Sequence, residues 1–352
     1  MIVKPADELR ELVTKILRSA GADEPNAVAV AQHLVLANLC GVDTHGVCHV
    51  VGYVKDIHEG LIVPTAWPEV HQETASTALV SGHWTFGQTG ARFAMEVAIE
   101  KAKAENVAIV SLVQTHHIGR LGHYVEMAAA DELISMVWAG GYGAENPAAM
   151  PYGGRQPLLH TNPIAMGFPA GDEPPMMFDF ATTGLAGVKV LTAHNQKQQL
   201  PPGCIVDRQG KPTTNPADFY DGGGHLPFGG HKGYALMMAA EFLGRIFSGA
   251  DALVDPDRGG PIMRRQGVTL IVFRADLFQT LDDYASRVDE LERKTREIPP
   301  APGFTEVLVP GDPERRTQAT RERDGIPIED EVWHSIVECA SSLGVENIGA
   351  RT

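Results

Sequence analysis

Basic residues are scarce in this 352-residue chain: 29 Lys and Arg stand against 44 Asp and Glu, a formal net charge of −15. A chain that acidic repels a phosphate backbone, so nucleic acid is not an expected partner, and an anionic small molecule would need a local cationic pocket. Cysteine is scarce too. Cys40, Cys48, Cys204 and Cys339 form no CxxC pair, so neither a disulfide framework nor a four-cysteine zinc site is expected, and a reducing cytoplasm is the expected compartment. No run approaches ~20 consecutive apolar residues, so no membrane-spanning helix is expected. Met1 to Arg18 carries acids at Asp7, Glu8 and Glu11 and reads as a helix rather than a signal or transit peptide. A G-x-G-x-x-G after a strand is missing as well; GGYGAEN comes nearest and fails at its last glycine, so no motif supports a Rossmann domain. With 43% apolar and 21% charged residues the chain can build a core, which excludes a fully disordered protein, and its length suggests two domains.

What is present divides by texture. Leu9, Leu12, Val13, Ile16 and Leu17 recur at helical spacing between Pro5 and Gly21. A second helix is expected from about Pro25 to Leu39 with Asp23 as N-cap, and a third from Asp43 or Thr44 to Gly60. From about Ala75 short strands appear: TALVSG, VAIVSLV, LISMVWAG, PIAMGFP, PMMFDFA and VTLIVFRAD, with Gln88 to Glu105 as a helix among them. HKGYALMMAAEFLGRIFSGA reads as a long apolar helix closing on Gly249, Leu281 to Ile298 as a half-solvated helix, the charged stretch from Val309 as a loop or helix start, and Asp330 to Leu343 as a last helix. Strands and helices mix, so the class is α/β or α+β. The texture changes near 65–75 and turns helical again after about residue 280; packing of the last helices on the first ones, the arrangement that the resemblance described below implies, would give a discontinuous helical domain, residues 1–72 and 282–352, and an α/β domain, residues 73–281.

Fourteen histidines are generous, and they cluster. On a helical wheel over 43–59, Val47, Val50, Val51, Val54 and Ile57 form one stripe, and His45, His49 and Tyr53 stack on the other. That face is either a solvated surface or a cleft wall; imidazole titrates near neutrality and suits proton transfer to substrate oxygen. A helix dipole at His45 would favour the neutral ring. THHIGRLGHY, with His116, His117, Arg120 and His123, follows a strand, where ligands bind in α/β sheets; the alternative is a polar loop. His45 and His49 have a spacing that can hold zinc, but H-E-x-x-H is absent and no metal is expected. LPFGGHKGYALMM puts glycines and Lys232 before a helix, which can cradle phosphate or simply make a tight turn. FDFATTG places Asp179 within an apolar strand, where it must be paired, hydrogen-bonded or capping.

Seven segments together resemble the malate/L-lactate dehydrogenase family that is unrelated to Rossmann-type enzymes: GVDTHGVCHVVGYVKDIHEGLIVP, THHIGRLGHY, PYGGRQPLLHTNPIAMGFP, FDFATT, DRQGKPTTNP, LPFGGHKGYALMM and VLVPGDPE. Ureidoglycolate, sulfolactate and diketogulonate oxidoreductases and cyclic imino-acid reductases belong to the same family. The resemblance implies a helical domain built from both chain ends, a cofactor domain around a mainly antiparallel sheet, and a homodimer. It also implies hydride exchange between NAD or NADP and a 2-oxo acid or related imine, a small-molecule substrate. By the same resemblance His45 is the acid/base, His117 the second active-site histidine, and Asp179 fixes local geometry. Thr44, His49, Tyr53 and Thr161 fall on the substrate side. Cofactor contacts are implied for Pro175, Met176, Met177, Phe178, Asp179, Phe180, Ala181, Thr182 and Thr183, for His231 and Lys232, and for Pro310, Gly311 and Asp312.

The chain departs from the family at telling places. Thr44 replaces the usual Ser and keeps the hydroxyl. His49 replaces an Arg suited to grip a carboxylate in a bidentate fork; Arg120 is the residue expected to compensate. His160 replaces a Gly before T-N-P, and GGYGAENP an Asn-Ser region. The alternatives are a cyclic ketimine reductase, a family member that only binds a metabolite, and a metal-dependent hydrolase built on the histidine clusters.

Overall fold

The structure is a computed structural model that describes residues 1–345. The chain begins with β1 (Ile2–Lys4), α1 (Ala6–Ser19) and α2 (Glu24–Leu39). The expected stripe of α1, Leu9 to Leu17, is buried, and the Asp23 side chain accepts from Asn26 N at 3.0 Å as the N-cap of α2. The third helix does not begin at Asp43. Two 3-10 turns, Asp43–His45 and Val47–His49, come first, and α3 covers only Val50–His58. Gly46 explains the break: a Cβ there would collide with the Asn38 side chain, so the chain runs hard against α2 where a straight helix would not.

A seven-stranded sheet follows. In chain order its strands and helices are β2 (Glu69–Glu73), β3 (Thr77–Ser81), α4 (Gly87–Glu105), β4 (Val107–Val113), α5 (Gly122–Ala130), β5 (Leu133–Gly140), β6 (Ile164–Phe168) and β7 (Met176–Phe180). Next come α6 (Gly187–Asn195), a small three-stranded sheet from β8 (Ile205–Val206), β9 (Pro212–Thr213) and β10 (Gly224–His225), with α7 (Pro216–Tyr220) inserted in it, then α8 (His231–Glu241), α9 (Gly260–Met263) and β11 (Gly267–Arg274). The strand order is β2-β3-β4-β11-β5-β6-β7. Every neighbouring pair is antiparallel except β3 with β4. A doubly wound Rossmann sheet is mostly parallel, so this sheet, with one parallel pair in six, is of another kind, as the resemblance implied. The central strands β4, β11 and β5 read as continuous apolar runs because α4 and α5 cover one face and α8 with the following turn covers the other.

The chain closes with α10 (Leu281–Arg296), α11 (Asp312–Asp324), β12 (Ile326–Ile328) and α12 (Asp330–Ser342). The stretch after Val309, read as a loop or helix start, is the helix α11. β1 pairs antiparallel with β12. Trp333, Ile336 and Ala340 of α12 enter the same buried cluster as Leu9, Val13, Leu34 and Val50. The separate segment α10 reaches the connection between β6 and β7 instead: Asp289 accepts from Gly171 N at 2.9 Å and Asp172 N at 2.8 Å.

Candidate active site

Three imidazoles meet where the helical cluster faces the sheet. His45 sits on the first 3-10 turn, which is pinned from two sides. The Asn38 carbonyl oxygen Oδ1 accepts from Val47 N at 2.8 Å and its amide donates to Asp43 at 2.6 Å, while Arg321 of α11 holds the Asp43 carboxylate at 2.6 and 3.0 Å. His49, on the second turn, donates from Nε2 to the Thr44 carbonyl at 2.9 Å. His117 enters from the loop after β4. The N-terminus of α4 presses on that loop so closely that a Cβ on Gly87 would collide with the carbonyls of His116 and His117. Ring centroids are 6.3 Å apart for His45 and His49, 5.5 Å for His45 and His117, and 4.5 Å for His49 and His117. One nitrogen from each ring lies within 4.8 Å of one from each of the others.

A buried chain fixes the third ring. Gln88 Nε2 donates to the Tyr53 hydroxyl at 2.7 Å, and that hydroxyl lies 2.7 Å from His117 Nδ1. Of the two hydrogen-bond partners of the Tyr53 hydroxyl, the Gln88 amide donates, so His117 Nδ1 is the acceptor open to the phenol O–H, and with Nδ1 accepting, the His117 hydrogen sits on Nε2. Tyr53 is therefore not on a solvated face opposite the valines. It is 3% exposed and packs in the same core as they do, edge-on to Phe86. Beside it His116 Nε2 lies 3.2 Å from Asp56, and Gln266 donates to the His116 carbonyl at 3.0 Å.

All three rings are held neutral at pH 7. Burial is the main cause: it lowers His45, brings His49 to about 4 and drives His117 well below its ordinary 6.5, with the neighbouring imidazoles adding to the shift of His117. A macrodipole is not the reason at His45, since a three-residue turn carries almost none.

Opposite the histidines, the end of β7 and the loop leading into α6 complete a cleft of about 420 Å³. Asp179, Phe180, Ala181 and Thr183 line this wall, with Thr44 and Thr161 nearby and Tyr142 and His160 closing one end, ring centroids 4.4 Å apart. The Asp179 carboxylate accepts from Gly122 N at 2.8 Å, yet burial pushes it up to about 6. His160 is brought to about 4, again by burial. Tyr142, Gln266 and Lys189 also line the cleft, and no sequence motif announces them. Lys189 follows the FDFATTG segment by five residues, and a lone lysine opening a helix carries no motif.

Other expected site residues lie elsewhere. Arg120 does not face the cleft. It is 1% exposed, and its guanidinium makes two bonds to Glu126, at 2.7 and 3.0 Å, so it is not free to take the place of the missing arginine. Pro175 precedes β7 and Met176, Met177 and Phe178 run along it, all four outside the cleft lining, and Thr182 is buried with its hydroxyl donating to the carbonyls of Thr161 and Asn162. His231 and Lys232 are exposed at the start of α8, His231 edge-on to Tyr152 at 5.9 Å. Pro310 accepts from Met177 N at 3.4 Å, and Gly311 leads into α11 at φ 96°. Asp312 is engaged by Arg296 and Arg315; burial opposes its ionisation, but bonds from Arg296, Val309 N and Arg315 outweigh it and hold the carboxyl far below the usual range.

A sequence profile of the malate/L-lactate dehydrogenase family matches residues 5–337. The chain belongs to that family. It is 34% identical to the malate/(S)-sulfolactate dehydrogenase of Methanothermus fervidus over 98% of this chain and 99% of the relative. It is 32% identical to the hydroxycarboxylate dehydrogenase B of Escherichia coli K12, covering 97% and 94%. Among solved structures, the sulfolactate dehydrogenase of Methanocaldococcus jannaschii superposes with a TM-score of 0.87 at 33% identity over 98% of both chains. The Δ1-piperideine-2-carboxylate reductase of Pseudomonas syringae pv. tomato gives 0.85 at 30% identity over 97% and 100%. This chain is thus a dehydrogenase/reductase of the family, and the family implies a nicotinamide cofactor. Nothing in these likenesses supports the histidine-cluster hydrolase. The cleft fits the cofactor's reactive end: its volume lies in the range of small-molecule sites, and its lining sets the apolar Phe180, Ala181, Leu185 and Val188 beside the imidazoles of His45, His49 and His117. No described helix is long and apolar enough to cross a membrane.

Proposed function

We propose that this chain exchanges hydride between NAD or NADP and a small 2-oxo/2-hydroxy acid in the cleft between the three histidines and the Asp179–Thr183 segment. The observation that carries the proposal is the packing of three neutral imidazoles against that segment in a chain of this family. The nicotinamide, when bound, supplies or takes the hydride. The rest is the work of the chain's own groups. With Nδ1 shut off from solvent, Nε2 is the nitrogen His45 has left for a substrate. A neutral ring there accepts the hydroxyl proton when the 2-hydroxy acid is oxidised and returns it to the developing alkoxide in the reverse direction. His117, its hydrogen placed on Nε2 by Tyr53, donates to the substrate oxygen. Asp179, Phe180, Ala181 and Thr183 hold the cofactor side of the cleft. Thr44 and Thr161 lie on the substrate side.

A cyclic ketimine as substrate is the second reading, favoured by the piperideine-carboxylate reductase likeness. We further propose that the protein works in the cytoplasm as a homodimer. Phe242, Ile246 and Phe247 are 52–59% exposed on one short stretch, which supports a partner surface. The helical domain is proposed to comprise residues 1–72 and 282–352, and the cofactor domain 73–281.

Fluorescence titration with NADH and NADPH, followed by a 340 nm screen against pyruvate, oxaloacetate, other 2-oxo acids and cyclic imines, tests the reading. Saturable binding with oxidation by one class of electrophile is expected, and binding of neither nucleotide would refute it. His45→Ala should cut kcat by at least about a hundredfold with nucleotide Kd little changed; near-normal turnover would remove His45 from the proton path.

A further inference from the structure

The cleft meets an anionic substrate with almost no positive charge. Four of its lining side chains are imidazoles, His45, His49, His117 and His160, and burial keeps all four neutral. Asp179 contributes a negative group. His49 cannot stand in for a carboxylate-gripping arginine, because its Nε2 hydrogen is committed to the Thr44 carbonyl. Arg120 is committed to Glu126. A 2-oxo acid nevertheless brings a carboxylate, and a carboxylate enclosed without a cation carries a desolvation cost of several kcal/mol.

Lys189 is the one lysine or arginine among the lining residues. It is the third residue of α6, exposed at the cleft mouth, and among the described residues its ammonium makes no hydrogen bond or ion pair. No acid occupies the first turn of α6 and no side chain caps it. A lysine at a helix N-terminus adds to the positive end of the dipole where an acid would offset it, so this ammonium gains from an anion and has no neighbour to supply one. We propose that Lys189 grips the substrate carboxylate, taking over the task that the family gives to an arginine at the position of His49. The proposal rests on the hydride exchange proposed above. An ammonium is a compact point charge without the planar fork of a guanidinium. It therefore fixes the charge of the substrate more firmly than its orientation, and because it is exposed its attraction is screened by salt.

The dinucleotide's phosphates are the other anion that could reach Lys189, and the test separates the two. Oxalate serves as the carboxylate probe, titrated calorimetrically into the full chain with and without NADH, for the wild type, Lys189→Gln and Lys189→Arg. A charge-assisted hydrogen bond of ordinary strength predicts oxalate binding about ten- to a hundredfold weaker in Lys189→Gln. Recovery in Lys189→Arg is expected, with NADH affinity unchanged throughout. Added NaCl should weaken oxalate binding to the wild type and leave Lys189→Gln nearly unaffected. Equal oxalate affinity in wild type and Lys189→Gln, including no binding by either, overturns the proposal. So does a loss confined to NADH, which would assign Lys189 to the phosphates. A wild type that binds oxalate through Lys189 but oxidises NADH and NADPH with no 2-oxo acid keeps the anion contact and overturns the proposed function instead.

Discussion

Asp179 is the one carboxylate lining the cleft, and its environment makes it a measurable liability. Burial raises it from an ordinary 3.8 to about 6, despite the bond from Gly122 N and the nearby Arg120 guanidinium. A folded-state value above the unfolded one means that the native state holds the proton more tightly. Stability is therefore full below about 3.8 and is lost as pH rises through about 6. The shift corresponds to about 3 kcal/mol once both states are ionised, and the opening of the cleft to solvent reduces that to about 1–3 kcal/mol. Asp179→Asn abolishes the charge and keeps an oxygen that can accept from Gly122 N. The variant should be more stable than the wild type by about 1–3 kcal/mol at pH 8, with the gap falling to about half of that at pH 5. Urea denaturation at both pH values, at matched m-values, reads this directly. A variant less stable than the wild type at pH 8, or a gap independent of pH, would refute the reasoning. Activity should fall in the same variant, so stability and function would move in opposite directions.

Two further outcomes follow from the buried groups. Tyr53→Phe keeps the ring in the core but strands the Gln88 amide and His117 Nδ1, and should cost about 2–4 kcal/mol; adding Gln88→Leu should recover part of that loss, and strictly additive losses in the double-mutant cycle would show that no chain links the three groups. His49, His123, His160 and His225 are each brought to about 4, in every case chiefly by burial. The native rings stay neutral while the unfolded ones take protons below 6.5, so stability is unaffected above that value and falls as pH drops from 6.5 towards 4. By pH 5.5 the loss should be about 1 kcal/mol per histidine, outweighing the opposite trend of Asp179. Denaturation midpoints at pH 7 and 5.5 check it, and a flat or rising profile on acidification would count against neutral burial.

Periodicity and composition locate six of the seven strands of the large sheet, because β4, β5 and β11 are buried on both faces and read as plain apolar runs; the edge strand β2, polar and almost wholly exposed, gives no such signal. They also marked α1 and α2, where one stripe meets the core and Asp23 caps. The failures have local causes. The third helix was extended over residues 43–49 because the valine spacing there is helical, but the close approach of Gly46 to Asn38 is a tertiary contact that no wheel displays. His45, His49 and Tyr53 do stack, yet Tyr53 does so from inside the core. Arg120 advertised a charge while hiding its partner Glu126, six residues on, and Asp312 hid Arg296 and Arg315. Lys189 went unremarked because its meaning lies in what surrounds it: four neutralised imidazoles and an arginine spent elsewhere.

The pairing of β1 with β12 sets an order of events during synthesis. Leu9, Val13, Ile16 and Leu34 leave the ribosome early, but Ile326, Ile328, Trp333 and Ile336, which complete their cluster, are translated some three hundred residues later. Until then the cluster that α1, α2 and α3 begin lacks its last members. His45 and His49, anchored on that unfinished cluster and on Arg321, cannot take up their places until the same moment. The nascent chain can finish its central sheet well before it can bring His45 and His49 to the cleft.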